Sequence, residues 1–146
     1  MDWTQIHLAL NHLPVIGLPL ALLWLLIGWA RRSPEVLRLA LWSVLGLSVA
    51  AIAIKFTGDF AAEHSAARLT GVKELVSRHE QAGDQVTSAV FLLALATALA
   101  LWLGRKQRPV RAWALAVVVF VGVATCGLYV RCAHSGGQIS HAELRP

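Results

Sequence analysis

The residues of this chain best equipped for chemistry are its six histidines, His7, His12, His64, His79, His134 and His141. A neutral imidazole offers one ring nitrogen as a lone-pair donor and suits iron, copper or zinc, whereas magnesium and calcium prefer oxygen. Two imidazoles from different helices can hold a haem iron on its two axial sides, and the chemistry is then electron transfer. The second ring N–H of each ligand needs an acceptor, and Glu80, Asp59, Glu63 and Glu143 are candidates, or else simply solvate the surface. His12 is the most informative, because an imidazole inside an apolar run is costly unless it is paired or liganded. For any one histidine a bond to a backbone carbonyl is the plainer reading; for six gathered at one face, a site is preferred. The ligand candidates are His12, His79 and His141, followed by His7, His64 and His134.

Other chemistries leave no trace. The chain has no Cys-x-x-Cys-His for covalent haem attachment, no phosphate loop, no nucleophile elbow and no His-Glu-x-x-His. A protein that only relays electrons needs no general acid or base. One methionine and one well-placed cysteine, Cys132, make a poor set for copper(I), and Cys126 reads as a small core residue.

The elements that must position the histidines are membrane helices. The chain is 57% hydrophobic and 14% charged, far from the soluble average. Uncharged runs extend over Leu8 to Ala30, Leu39 to Ile54, Val86 to Gly104 and Ala112 to Val130. About 20 apolar residues cross about 30 Å of hydrocarbon, and lipid tolerates no unpaired backbone, so these runs predict helices over about 8–30, 36–57, 86–104 and 112–131. The expected fold is an all-α integral membrane four-helix bundle, one domain over 1–146, with a short outward amphipathic segment between helices 2 and 3. Bundles of this kind build cofactor sites from inward-facing residues, and a haem would fill an apolar interior as a bare ion would not. The first run carries Asp2 and no Lys or Arg before it, unlike a signal peptide, and is expected to stay attached.

The link between helices 1 and 2 holds Arg31, Arg32 and Arg38; that between 3 and 4 holds Arg105, Lys106, Arg108 and Arg111. Only Glu35 opposes them, so the positive-inside rule puts both links in the cytoplasm and the termini, the long middle segment and every histidine outward. Trp29, Trp102 and Trp113 fall near the inner boundary as interfacial anchors. The excess of base sets topology and meets anionic lipid, and does not point to nucleic acid.

Between the spans, Val72, Val76 and His79 share a helical face, which suggests a short surface helix broken from an earlier turn at Gly71, with His79 either at its end or at the start of helix 3. The tail after Val130 is expected to lie as a flap on the bundle, with Gly136 and Gly137 allowing a sharp turn or a close approach to a helix or flat ligand. Gly122, Gly127, Gly46 and Ser43 are the small residues that let membrane helices approach, and Pro14 and Pro19 can kink helix 1 and free carbonyls.

These motifs resemble those of small bacterial four-helix membrane proteins, the DUF2231 family. Its opening of His, four residues, His, an apolar residue and Pro is similar to His7-Leu8-Ala9-Leu10-Asn11-His12-Leu13-Pro14, although the family usually has Pro where this chain has Leu8. Thr57-Gly58-Asp59 with Ala62-Glu63, His79-Glu80, and Gly136-Gly137-Gln138-Ile139-Ser140-His141 resemble its later motifs. Members occur joined to cytochrome-like domains, so the resemblance implies a b-type cytochrome.

The expected function is thus electron transfer by one or two haem b groups near the outer face, between the quinone pool and an outward redox partner. The rivals are an outward zinc- or copper-binding module and a cofactor-free subunit in which the histidines stabilise helix contacts or sense pH. The expected setting is the bacterial inner membrane, multi-pass, with the lipid bilayer, a quinone, an outward cytochrome or larger membrane complex, and a second copy in a homo-oligomer as candidate partners.

Overall fold

The computed structural model describes residues 3–65, 73–106 and 108–141. They form four helices, α1 (Trp3–Ala30), α2 (Pro34–Ser65), α3 (Lys73–Leu103) and α4 (Ala112–Ser140). All four are long and apolar enough to cross a membrane. They make a ring in which α1 packs on α2 and α4, and α3 on α4 and α2, with the hairpins α1–α2 and α3–α4 the most intimate pairs.

The links are built tightly. After α1 the chain turns through Arg32, at φ 53°, while Ser33 N–H returns to Gly28 O at 3.0 Å. Ser33 Oγ then accepts Val36 N–H at 3.4 Å, Pro34 opens α2, where its missing N–H costs nothing, and Glu35 complements the helix dipole. In the second link Lys106 repeats the left-handed conformation at φ 54°, and Arg38 of α2 donates to Gly104 O at 3.3 Å, tying the two links together. Arg105 lies over the Trp102 ring at 4.1 Å.

The core is dry. Leu25, Leu41, Val44, Leu93, Leu115 and Val118 meet along the axis, whereas Leu39, Phe120 and Val130 stand out at 70, 76 and 69% exposure, a surface suited to lipid. Hydroxyls within the span spend their hydrogens inside their own helix: Ser48 on Val44 O, Thr97 on Leu93 O and Thr125 on Val121 O. Packing and lipid exclusion therefore hold the spans, since no cross-helix hydrogen bond is needed there.

Of the small residues expected at helix contacts, Gly122 packs on Leu22, but Gly46 and Gly127 face open space, because each lies on the outward side of its helix. Gly17 against Leu47 and Gly28 against Leu37 complete the real approaches. At Gly28 a Cβ would sit 2.9 Å from the Leu37 backbone nitrogen, which cannot swing away. Gly28→Val is therefore expected to cost about 1–3 kcal/mol through overpacking, read as a lower midpoint of heat unfolding in detergent.

Two expectations are corrected. Residues 73–85 are the first turns of α3 and not a separate surface helix: they are mostly good helix formers, and the Glu74–Arg78 pair at 3.0 Å supports them. Gly71 and Val72 lie outside the described residues. The tail is no flap either, since α4 runs through both glycines to Ser140 and His141 caps it, its N–H on Gly137 O at 2.9 Å. Gly136 serves the close approach of the His79 ring of α3.

Candidate functional site

All four helices are longer than a membrane's hydrocarbon layer requires. Counting from the arginine end, about 30 Å of hydrocarbon at about 1.5 Å per residue takes up roughly 20 residues of each helix. That reaches Asn11, Ala53, Asp84 and Arg131. Near this level stands a polar belt: Lys55 Nζ bridges Asp59 at 2.6 Å and Asp84 at 3.3 Å, and Arg131 donates to Gln85 at 3.1 Å. Beyond it the bundle continues, and there the inward-facing histidines lie.

His7 of α1 and His79 of α3 occupy corresponding places on the two helices that do not adjoin. His7 Nδ1 is 3.1 Å from Thr57 Oγ1 on α2, with the Ile54 carbonyl alongside. His79 Nδ1 is 3.1 Å from Ser135 Oγ and 3.1 Å from Cys132 O on α4. Each hydroxyl gives its own hydrogen to a carbonyl three residues back, Thr57 to Ile54 O at 2.6 Å and Ser135 to Cys132 O at 2.8 Å. With their own hydrogens committed, both hydroxyls turn lone pairs toward Nδ1, an arrangement that an imidazole carrying its proton on Nδ1 would satisfy.

Each ring also lies on a glycine. A Cβ at Gly58 would come within 2.8 Å of His7 Cε1, and one at Gly136 within 3.0 Å of His79 Cε1. Both imidazoles are half-buried, and they lie within range of each other's charge. No buried side-chain nitrogen among the described residues lacks a partner, so the two Nε2 atoms remain reachable from outside. Beneath this layer the axis is closed by Tyr129, Pro14, Leu18, Leu47, Ser48 and Val90, with no room for a water among them.

His12, His134 and His141 stand elsewhere. His12 is exposed on the outer face of α1, about at the hydrocarbon boundary, with Nδ1–H on Leu8 O of its own helix at 2.7 Å. His134 is exposed on α4, 3.4 Å from the Gln138 amide, and His141 is exposed at the end of α4. His64 falls in the last turn of α2. Asp59, Glu63 and Glu80 line a cleft of about 430 Å³ between α2 and α3, where Lys73 joins them, and Glu143 lies outside the described residues.

Among the described residues, the groups at Nδ1 of His7 and His79 are the Thr57 and Ser135 hydroxyls and the Ile54 and Cys132 carbonyls. Thr57, Ser135 and Cys132 were missed by sequence reasoning, although a signal exists. Ile54-Lys55-Phe56-Thr57-Gly58 and Cys132-Ala133-His134-Ser135-Gly136 share a hydroxyl residue followed by glycine at the same depth after their apolar runs. Cys132 Sγ also comes within 3.7 Å of His79 Nδ1.

As a donor set, two imidazoles on different helices, each held at Nδ1 by a partner of the neighbouring helix, have the chemistry that would hold a transition-metal centre such as a haem iron, a held Nδ1 being the usual partner arrangement behind a metal-bound histidine. No curated protein and no solved structure matches the chain. Residues 4–143 match the model of the predicted membrane protein family DUF2231, and the chain belongs to that family.

Proposed function

We propose that this chain is a b-type cytochrome of the bacterial inner membrane that passes electrons between the quinone pool and an outward redox partner. The observation that carries the reading is the matched pair of His7 and His79, each tied at Nδ1 to a hydroxyl of the neighbouring helix. The residues that would hold haem are these two, through Nε2. Bound haem supplies reversible one-electron chemistry at iron. The chain's own part is to orient the two imidazoles, to fix their protons away from the ligand atoms and to hold them about one or two turns beyond the hydrocarbon, where a soluble partner has access.

The arginine-rich links supply the orientation. Seven bases against Glu35 favour the cytoplasmic side for that end, which puts the histidine layer outward. The choice of His7 with His79, ahead of His12 and His141, follows from their facing inward from different helices while the latter two are exposed.

An optical spectrum of the detergent-purified protein, oxidised and then dithionite-reduced, tests the reading, with a pyridine haemochrome assay for stoichiometry. Sharp alpha and beta bands on reduction are expected. A featureless spectrum from protein made with ample haem sinks it and turns attention to zinc or to a cofactor-free subunit.

A further inference from the structure

We propose that Thr57 and Ser135 are positioning residues, one for each histidine, whose hydroxyls enforce the Nδ1–H tautomer and thereby keep Nε2 of His7 and His79 as the ligand atoms. The inference rests on the reading of that histidine pair as the ligands of a bound group. It assigns the tautomer to the hydroxyls and not to the carbonyls beside them, and it makes the two hairpins equivalent halves, each with its own histidine and its own lock.

The arrangement is repeated in detail. In α2 the carbonyl of Ile54, the hydroxyl of Thr57 and the bare Cα of Gly58 fall on one face; in α4 Cys132, Ser135 and Gly136 do the same. Spacings of three and four residues bring groups together on a helix. The hydroxyl-to-carbonyl distances are 2.6 and 2.8 Å, and both hydroxyl-to-imidazole distances are 3.1 Å. α1 and α3 both begin at this end while α2 and α4 both end there, so each hairpin carries its histidine on its first helix and its hydroxyl on its second.

The carbonyls alone are weak locks. Each already serves its own helix, four residues on, and accepts the hydroxyl besides. A carbonyl oxygen has two lone pairs, so a third donor finds little capacity there. Free histidine in water prefers its proton on Nε2, the tautomer that would block ligation at that atom. A hydroxyl whose hydrogen is committed elsewhere presents only lone pairs, and its place on a rigid helix fixes where the imidazole N–H must point. The glycine that follows lets the ring lie close enough to reach it.

The test uses the full chain, labelled with 15N at histidine, free of haem, in detergent micelles at a pH where imidazoles are neutral. Nitrogen shifts report which ring atom carries the proton, and His7→Gln and His79→Gln spectra assign the two signals. In the wild type both histidines are expected as the Nδ1–H form. Thr57→Val should move His7 alone toward Nε2–H, Ser135→Ala should move His79 alone, and Thr57→Ser should restore the wild-type pattern. Unchanged tautomers in the Val and Ala variants overturn the proposal, as does a change at both histidines from either substitution.

Haem titration of the same variants gives the second readout. Loss of an outer partner behind a metal ligand typically costs about 10–100-fold in affinity, and that loss is expected for Thr57→Val, with recovery in Thr57→Ser. Equal affinity in the Val variant overturns the positioning role. Failure of the wild-type chain to bind haem overturns the reading of the histidines as ligands, and the spectra of the haem-free protein distinguish that failure from a failure of the locks.

Discussion

On the proposed reading, His7→Ala and His79→Ala are each expected to abolish the sharp reduced-haem bands, whereas His12→Ala and His134→Ala leave them in place. The contrast follows from where the side chains stand. His7 and His79 face inward from non-adjoining helices with Nε2 open, while His12 turns to the outside of α1 and His134 to the outside of α4. Removing a ligand should exceed the roughly 10–100-fold cost of removing its outer partner, so haem should be lost during purification or be held by one imidazole alone. Reduced-minus-oxidised spectra and haem-to-protein ratios for the four variants check this. Retention of sharp reduced bands in both His7→Ala and His79→Ala would exclude the pair, and loss in His12→Ala would instead favour the histidine that the apolar run singled out.

Much of the fold is legible in the sequence because lipid imposes so few solutions. Uncharged runs such as Ala112 to Val130 have to be helices, and four such runs make the bundle. What the runs do not reveal is where the helices stop. Hydrophobicity ends at the membrane surface, but a helix continues as long as its residues favour it and its neighbours support it. Thus α2 passes Lys55 for another ten residues to Ser65, and α4 carries two glycines in its closing turns because one of them accommodates an imidazole.

The gathering of histidines is legible in composition, their geometry less so. The gathering of histidines toward one end can be read from the charges, since the arginines mark the other. The inward or outward direction of each histidine depends on helix rotation, and in a membrane helix apolar residues surround the axis on every side. His12, set among Leu8, Leu10, Leu13 and Ile16, has no polar stripe to say which way it faces; the structure turns it outward and satisfies it from the Leu8 carbonyl. His7, nearer the end and less conspicuous in sequence, is the one that meets a partner across the bundle. The carboxylates were attractive as partners because acids commonly orient ligand imidazoles. Here the histidines instead find hydroxyls one helix away, and Asp59 is engaged by Lys55.

That engagement has a structural use. Lys55 joins α2 to α3 through Asp84, just below His7, so the polar belt fixes the two hairpins against each other at the level where the dry core ends. Its exposed ion pairs contribute little energy individually, about 0–1 kcal/mol. Their effect is on register: sliding one hairpin along the other would separate Lys55 from Asp84 and Arg131 from Gln85 together. The histidine layer thereby inherits a defined height on both hairpins, which a group held by one ligand from each requires.

Gly58→Ala and Gly136→Ala should each lower haem affinity by roughly 5–100-fold, although alanine is the smallest change available and a better helix former than glycine. The new methyl group would lie 2.8 Å from His7 Cε1 in the first case, closer than a Cβ approaches another atom, and 3.0 Å from His79 Cε1 in the second, tighter than nearly all such contacts. Either the imidazole swings off its rotamer and loses the hydroxyl behind it, or the helices part. Overpacking of this kind typically costs about 1–3 kcal/mol, and each 1.4 kcal/mol is tenfold in binding. The contact at Gly58 is the tighter, so its variant should show the larger loss. Gly46→Ala is the control: nothing lies within 4 Å of a Cβ there, and helix propensity alone should leave the protein as stable or slightly more so with haem affinity unchanged. Haem titration of the three variants beside their heat-unfolding midpoints separates a displaced ligand from a weakened fold, because only a displaced ligand lowers affinity while the midpoint holds. Wild-type affinity in both Gly58→Ala and Gly136→Ala would mean that the rings need not lie where the structure has them, and the reading of His7 and His79 as a preorganised pair would fail.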